Sequence, residues 1–160
     1  MPLVSMTING ERFSDNIKSN MLLSDYLRET LDLTGTHVGC DTSQCGACNV
    51  TVNGDVIKSC SMFVVEAHGS DIVTIEGVHG KDGSLHIIQD EFRKNHGLQC
   101  GFCTPGIVMT SIDLLNKHIK PSEKQIRDYL QGNICRCTGY QNIVKSIQAA
   151  AELLSVKMEK

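Results

Sequence analysis

Apolar and polar positions change period partway along this chain. From Val4 to Ile8 they alternate, as on a half-buried strand. Asn9-Gly10 is a pairing favoured in two-residue hairpin turns, and Arg12 to Ile17 reads as the returning strand. Met21 to Leu31 then takes helical period, with Leu23, Tyr26, Leu27 and Leu31 on one face, Ser24 placed as N-cap and Gly35 beyond the end. Residues 49–52 and 55–58 flank a second hairpin signal, Asn53-Gly54, and Ile72 to Ile75 is a last β-rich run. Two hairpins, a helix and a later strand predict a β-grasp domain over residues 1–78.

Gly77, Gly80 and Gly83, with Asp82 and Ser84, mark a linker, taken as residues 79–84. Beyond it the β signal disappears. Leu85 to Asn95 is helical, with Leu85, Ile88 and Phe92 on one face. Thr104-Pro105 opens the next helix, threonine as cap and proline in the first turn, and Ile107, Val108, Ile112 and Leu115 form its stripe. Ser122-Glu123-Lys124-Gln125 is a capping box for a third helix running through Ile126, Tyr129 and Leu130 to Gly132. Asn142 to Ser155 is a fourth, with Ile143, Ile147, Ala150 and Leu154 in register. The expected fold class is therefore α+β: the β-grasp domain, then an all-α four-helix bundle over residues 85–160. Halves of about 80 residues bury only about 60–65% of their unfolded surface, so each core needs a staple such as a metal centre.

Composition narrows the chemistry. The 160 residues are 41% apolar and 21% charged, ordinary for a soluble globular protein. A net charge of −3 with scattered Lys and Arg gives no footprint for nucleic acid. No apolar run approaches the ~18 residues of a membrane span. The N-terminus lacks a basic stretch followed by an apolar one, so no signal peptide is expected and the compartment is read as the reducing cytoplasm. The eight cysteines fall below the roughly 8–10% of a secreted disulfide scaffold, and Cys135 and Cys137 stand too close for an unstrained disulfide.

The cysteines form two groups. Cys40, Cys45, Cys48 and Cys60 follow C-x4-C-x2-C…C, the spacing of plant-type [2Fe–2S] ferredoxins. Gly39 and Gly46 on that loop are expected to take positive φ and to let backbone N–H groups reach the sulfurs. Cys100 and Cys103 precede one predicted helix, Cys135 and Cys137 another, where the partial positive charge of helix N-termini favours thiolates. Four such thiolates suit a second [2Fe–2S] cluster. Tetrahedral zinc remains open on ligand type, more so for this group, although C-x-C is unusual for it.

Other polar residues point elsewhere. None of His37, His68, His79, His86, His96 and His118 has Rieske-like spacing to a cysteine, so they are read as solvent or packing residues. Asp25 and Asp41 read as helix-start and loop residues, and Arg136 as a cluster-side, partner-facing or solvated charge. No nucleophile–base pair and no phosphate-binding glycine loop is present, so the chain has no catalytic residue or substrate site of its own to offer. Substrate oxidation at carbon releases two electrons and a flavin accepts two. A pair of one-electron clusters fits between such sites.

Three segments together, Gly39–Cys48, Gln99–Gly106 and Cys135–Tyr140, resemble the signatures of the iron–sulfur subunit of the molybdenum hydroxylases, the xanthine oxidase and aldehyde oxidoreductase family. The resemblance covers almost the whole chain and is to the separate small subunit of three-subunit enzymes. It implies a large subunit with a molybdenum–pterin cofactor, a medium subunit with FAD, and two [2Fe–2S] clusters relaying electrons between them. Residue by residue, it implies that Cys100, Cys103, Cys135 and Cys137 hold the cluster nearer the molybdopterin, and Cys40, Cys45, Cys48 and Cys60 the one nearer the flavin. It further implies that Gln99 hydrogen-bonds the pterin and that Cys137 lies closest to it. Family frequency points to an aldehyde such as glyceraldehyde as substrate of the complex. Carbon monoxide and N-heterocycles also fit, and a freestanding two-cluster ferredoxin is the alternative of another class.

Overall fold

The computed structural model describes residues 1–80 and 82–158, so Lys81 of the expected linker lies outside the described residues. Strand β1 (Leu3–Ile8) and strand β2 (Glu11–Asn16) pair antiparallel across Asn9-Gly10. Asn9 (φ 51°) and Gly10 (φ 84°) are both left-handed, the backbone whose twist matches the flanking strands. Asn53 (φ 53°) and Gly54 (φ 92°) repeat the device between β3 (Asn49–Val52) and β4 (Asp55–Lys58). Strand β5 (Asp71–Val73) joins the hairpins, parallel to β1 and antiparallel to β3, giving the order β2-β1-β5-β3-β4. Val4, Met6, Ile8, Val50 and Ile72 pack with Leu23, Tyr26 and Leu27 in one core.

The element carrying those last three residues departs from expectation. Only Leu23–Asp25 (α1) is α-helical, and Tyr26–Thr30 widens into a π turn, closed by Leu31 N–H donating to the Tyr26 carbonyl at 3.1 Å. Leu22 takes the N-cap position because its neighbour Leu23 is tied to Met62 from across the domain. Ser24 is therefore not the cap: it is buried in the first turn, its hydroxyl donating to Asp25 at 3.3 Å. The last strand is also shorter than its β-rich run. The Asn9 side chain clamps Thr74 through two 2.9 Å bonds, and Ile75–Gly77 turns away as a 3-10 helix. Ile75 and Val78 then pack on the other core.

That second core lies among α2 (Ile87–Lys94), α3 (Thr104–Lys117), α4 (Glu123–Tyr129) and α5 (Gln141–Met158). Ile88, Phe92, Ile107, Leu114, Ile126 and Ile143 are its centre. The capping box Ser122–Gln125 is present as expected. Two helix starts shift. His86 caps α2, its ring accepting from Ile88 N–H at 3.3 Å, which leaves Leu85 outside the helix and 52% exposed. Cys103, not Thr104, occupies the N-cap of α3, and Thr104 and Pro105 are its first helical residues. Among the described residues no helix is long and apolar enough to cross a membrane.

The two cores meet where α3 presses on the first cysteine loop. A Cβ on Gly106 would stand 1.9 Å from the Gly46 carbonyl oxygen and 2.9 Å from Ala47 Cα, so only glycine allows this approach. Around it runs a buried polar chain. Asn49 Nδ2 donates to Thr110 Oγ1 (2.8 Å), which lies 3.0 Å from Asn133 Oδ1, and Asn133 Nδ2 donates to the Gly46 carbonyl (3.4 Å). Further along α3, buried Asp113 is paired with Lys117 at 2.9 Å and with the Tyr129 hydroxyl, as a buried charge requires. Lys117 reaches on to Asp55 of β4 at 3.3 Å.

Gly106→Ala is expected to lower unfolding free energy by about 3 kcal/mol, since backbone rather than a flexible side chain must yield. Denaturant unfolding of the intact chain reads this directly, and a loss below about 0.5 kcal/mol would mean that the approach is not tight.

Candidate metal centres

The first loop wraps its amides around sulfur. Cys40 Sγ accepts from Cys45 N–H at 3.4 Å and from the backbone N–H groups of Thr42 and Gln44, which with the Cys45 thiol pull its own thiol down to about 6. Left-handed Ser43 (φ 56°) and Gly46 (φ 70°) bend the loop. Gly39 contributes differently from expectation: its φ is not positive, and what it supplies is room, since a Cβ there would lie 3.3 Å from both Cys45 Sγ and the Phe102 ring. Cys48 is buried, and burial pushes its thiol up to about 11. Cys60 arrives on the 3-10 turn Ser59–Ser61 after β4. The turn is held by Ser59, whose N–H and hydroxyl both donate to the Cys48 carbonyl, at 3.3 and 2.8 Å.

The second group divides by burial. Cys100 and Cys137 are exposed, with their sulfurs 3.5 Å apart. The Phe102 N–H and then the Cys137 thiol lower the Cys100 thiol, and the same contact with Cys100 raises Cys137. Cys103 sits at the start of α3, where the helix N-terminus was expected to favour thiolate. Burial wins there and pushes it up to about 12. Burial also pushes Cys135 up, but the Thr138 hydroxyl at 3.1 Å and nearby backbone donors outweigh it, and its net shift is downward.

In each group thiols act on one another two by two: the Cys100 and Cys137 sulfurs are in contact, and Cys45, Cys60 and Cys135 act on the Cys40, Cys48 and Cys103 thiols respectively. Among the described residues no three Cys, His, Asp or Glu side chains converge as a single-ion site. Four soft donors arranged two and two match the demand of a two-iron cluster for four cysteine thiolates, and in that chemistry both groups fit.

The loops also touch each other. Ile134 N–H donates to the Cys45 carbonyl at 2.8 Å, a direct bond between a residue of the first group and the neighbour of Cys135. His37 stacks on Phe102, centroids 4.6 Å apart and planes 15° apart, and its Nδ1 lies 2.8 Å from the Phe102 carbonyl oxygen. His37 is therefore a packing residue that joins the two loops, which no cysteine spacing could reveal. Gln99 is exposed beside Cys100. Arg136 is exposed, has no carboxylate partner among the described residues, and lines a hollow of about 190 Å³ with Gly39, Cys45, Phe102, Ile134 and Cys137.

Comparison with known proteins adds independent support. Residues 6–71 match the 2Fe-2S iron-sulfur cluster binding domain, and residues 74–148 match the [2Fe-2S] binding domain. The chain is 46% identical over 152 residues to caffeine dehydrogenase subunit gamma of Pseudomonas sp. (strain CBB1), covering 93% of this chain and 90% of that one. It superposes on a chain of quinoline 2-oxidoreductase from Pseudomonas putida 86 with a TM-score of 0.91 at 40% identity, covering 96% and 95%. It is 41% identical over 155 residues to aldehyde oxidoreductase of Megalodesulfovibrio gigas, covering 95% of this chain but 17% of that longer protein.

Iron and acid-labile sulfide analysis is expected to find two [2Fe–2S] clusters per chain, with two distinct EPR signals on reduction. Colourless protein holding only zinc would contradict the assignment of both groups.

Proposed function

We propose that this chain, which belongs to the small iron–sulfur subunits of the molybdenum hydroxylases, passes electrons from a molybdopterin site on a large partner subunit to FAD on a medium one. Its place in an oxidoreductase complex as the electron-transfer subunit follows from the family. When bound, each cluster supplies one-electron redox chemistry between two sites that each handle two electrons.

The chain's own residues set the route. Cys100, Cys137 and Gln99 are exposed together, beside Phe102 (48% exposed) and Ile134 (52%), which supports this rim as the face offered to the pterin, with Gln99 as hydrogen-bonding residue and Cys137 nearest. The observation that carries the relay is the Ile134–Cys45 hydrogen bond, which leads inward from that rim to the first loop. Cys40 and Cys60 are each partly exposed, and Asp41, Thr42 and Gln44 on the same loop are exposed, which supports this end as the exit toward a flavin. We take residues 1–78 and 85–160 as the two domains, and a reducing cytoplasm as the setting that keeps eight cysteines available as ligands.

For the substrate, the relatives of matching length shift the balance. Proteins whose names specify caffeine and quinoline are matched over 90% and 95% of their own length, whereas the aldehyde oxidoreductase match is 17% of a longer chain. We therefore favour an N-heterocycle over the aldehyde, such as glyceraldehyde, that family frequency alone suggested.

Cys45→Ser in the assembled complex is expected to leave the molybdenum site reducible by substrate while slowing flavin reduction by at least an order of magnitude. Stopped-flow absorbance separates the two steps, and unchanged flavin reduction in a variant lacking that cluster would refute the order. Assayed with quinoline, caffeine and glyceraldehyde, the native complex is expected to oxidise a heterocycle fastest; glyceraldehyde turnover alone would restore the aldehyde reading.

A further inference from the structure

The turn after Cys137 is held in an unfavourable backbone. Gly139 (φ 63°) and Tyr140 (φ 68°) are both left-handed, and for a residue with a side chain that costs about 1–2 kcal/mol. The Tyr140 hydroxyl secures the turn, accepting from Cys135 N–H at 2.8 Å and donating to the Asn133 carbonyl at 3.1 Å. So folded, the turn directs Tyr140 N–H at Thr138 Oγ1, 3.1 Å away, and sets the same oxygen 3.1 Å from Cys135 Sγ. The hydroxyl has one proton. Its oxygen already accepts from Tyr140, and a sulfur bound to iron has no proton to give, so the Thr138 proton is the one on the line to sulfur.

We propose that Thr138 is a positioning residue that raises the reduction potential of the cluster held by Cys100, Cys103, Cys135 and Cys137, by donating its hydroxyl hydrogen bond to Cys135 Sγ. This rests on the ligand assignment of the second group. Reduction adds negative charge to a cluster and its sulfurs, and a donor aimed at sulfur stabilises the reduced form more than the oxidised one. Cys135 is buried, only 9% exposed, so water screens the effect little. In the first group the hydroxyl contact is longer, with Ser43 Oγ 3.8 Å from Cys60 Sγ. Thr138 itself touches a sulfur of the second group, so its removal acts on that cluster.

The test is an EPR-monitored redox titration of the assembled complex carrying Thr138→Val, which keeps the shape and removes the hydroxyl. The second cluster is expected to become about tenfold harder to reduce, about 59 mV lower for one electron, while the first is unmoved and Thr138→Ser restores the native value. An unmoved midpoint, an equal shift in both clusters, or the same shift in Thr138→Ser would overturn the proposal. If Thr138→Val fails to hold the second cluster, Thr138→Ala repeats the measurement with less crowding, and loss of the cluster in both would make the hydroxyl a structural tie instead. A native complex showing one cluster signal only would overturn the ligand assignment itself, and the tuning with it.

Discussion

Everything in this chain depends on two stretches of backbone being pressed together with no side chain between them. Gly106 at the start of α3 lies against the Gly46 carbonyl, and that contact fixes how the sheet domain meets the helices. The Asn49–Thr110–Asn133 chain then satisfies polar groups that the close approach has removed from water. Its consequence appears one residue away, where the Cys45 carbonyl comes within 2.8 Å of Ile134 N–H. A bulkier junction would separate the two cysteine loops.

The sulfurs themselves are set by a contest between desolvation and donors. Burial dominates at Cys48 and Cys103 and pushes both thiols up. Amide groups dominate at Cys40, and the Thr138 hydroxyl with backbone donors tips Cys135 downward despite burial. In the second group the two pairs therefore have unlike surroundings, exposed Cys100 and Cys137 against the more deeply set Cys103 and Cys135. This is how one chain can offer an exposed edge to a partner while setting Cys103 and Cys135 deeper. The exposed Phe102 and Ile134 at that edge are apolar surface of the kind a partner subunit covers.

Local rules reached far into this protein. Period and turn chemistry alone located both hairpins, because Asn9-Gly10 and Asn53-Gly54 need left-handed backbone that few other residue pairs accept. They also located four helices after the sheet domain, and the cysteine spacing together with the family resemblance pointed to the two four-cysteine groups. They failed where a distant group overrode a local preference. Ser24 lost its cap position because Met62 fixes the chain at Leu23, and Ile75 left the sheet because Asn9 clamps Thr74. At Cys103, burial raises the thiol although the residue stands at the start of α3.

What the sequence by itself determined is the set of elements and the kind of chemistry, since turn geometry, helical period and thiolate ligation depend on residues near one another in the chain. Only the tertiary structure decided that β5 pairs parallel to β1, that His37 stacks on Phe102, and that Ile134 bonds to Cys45. Each joins residues more than sixty positions apart, and no periodicity extends over such a gap. The physical reason is the same in each case: such contacts are fixed by how two packed surfaces meet, here at two glycines, and not by the preference of any one segment.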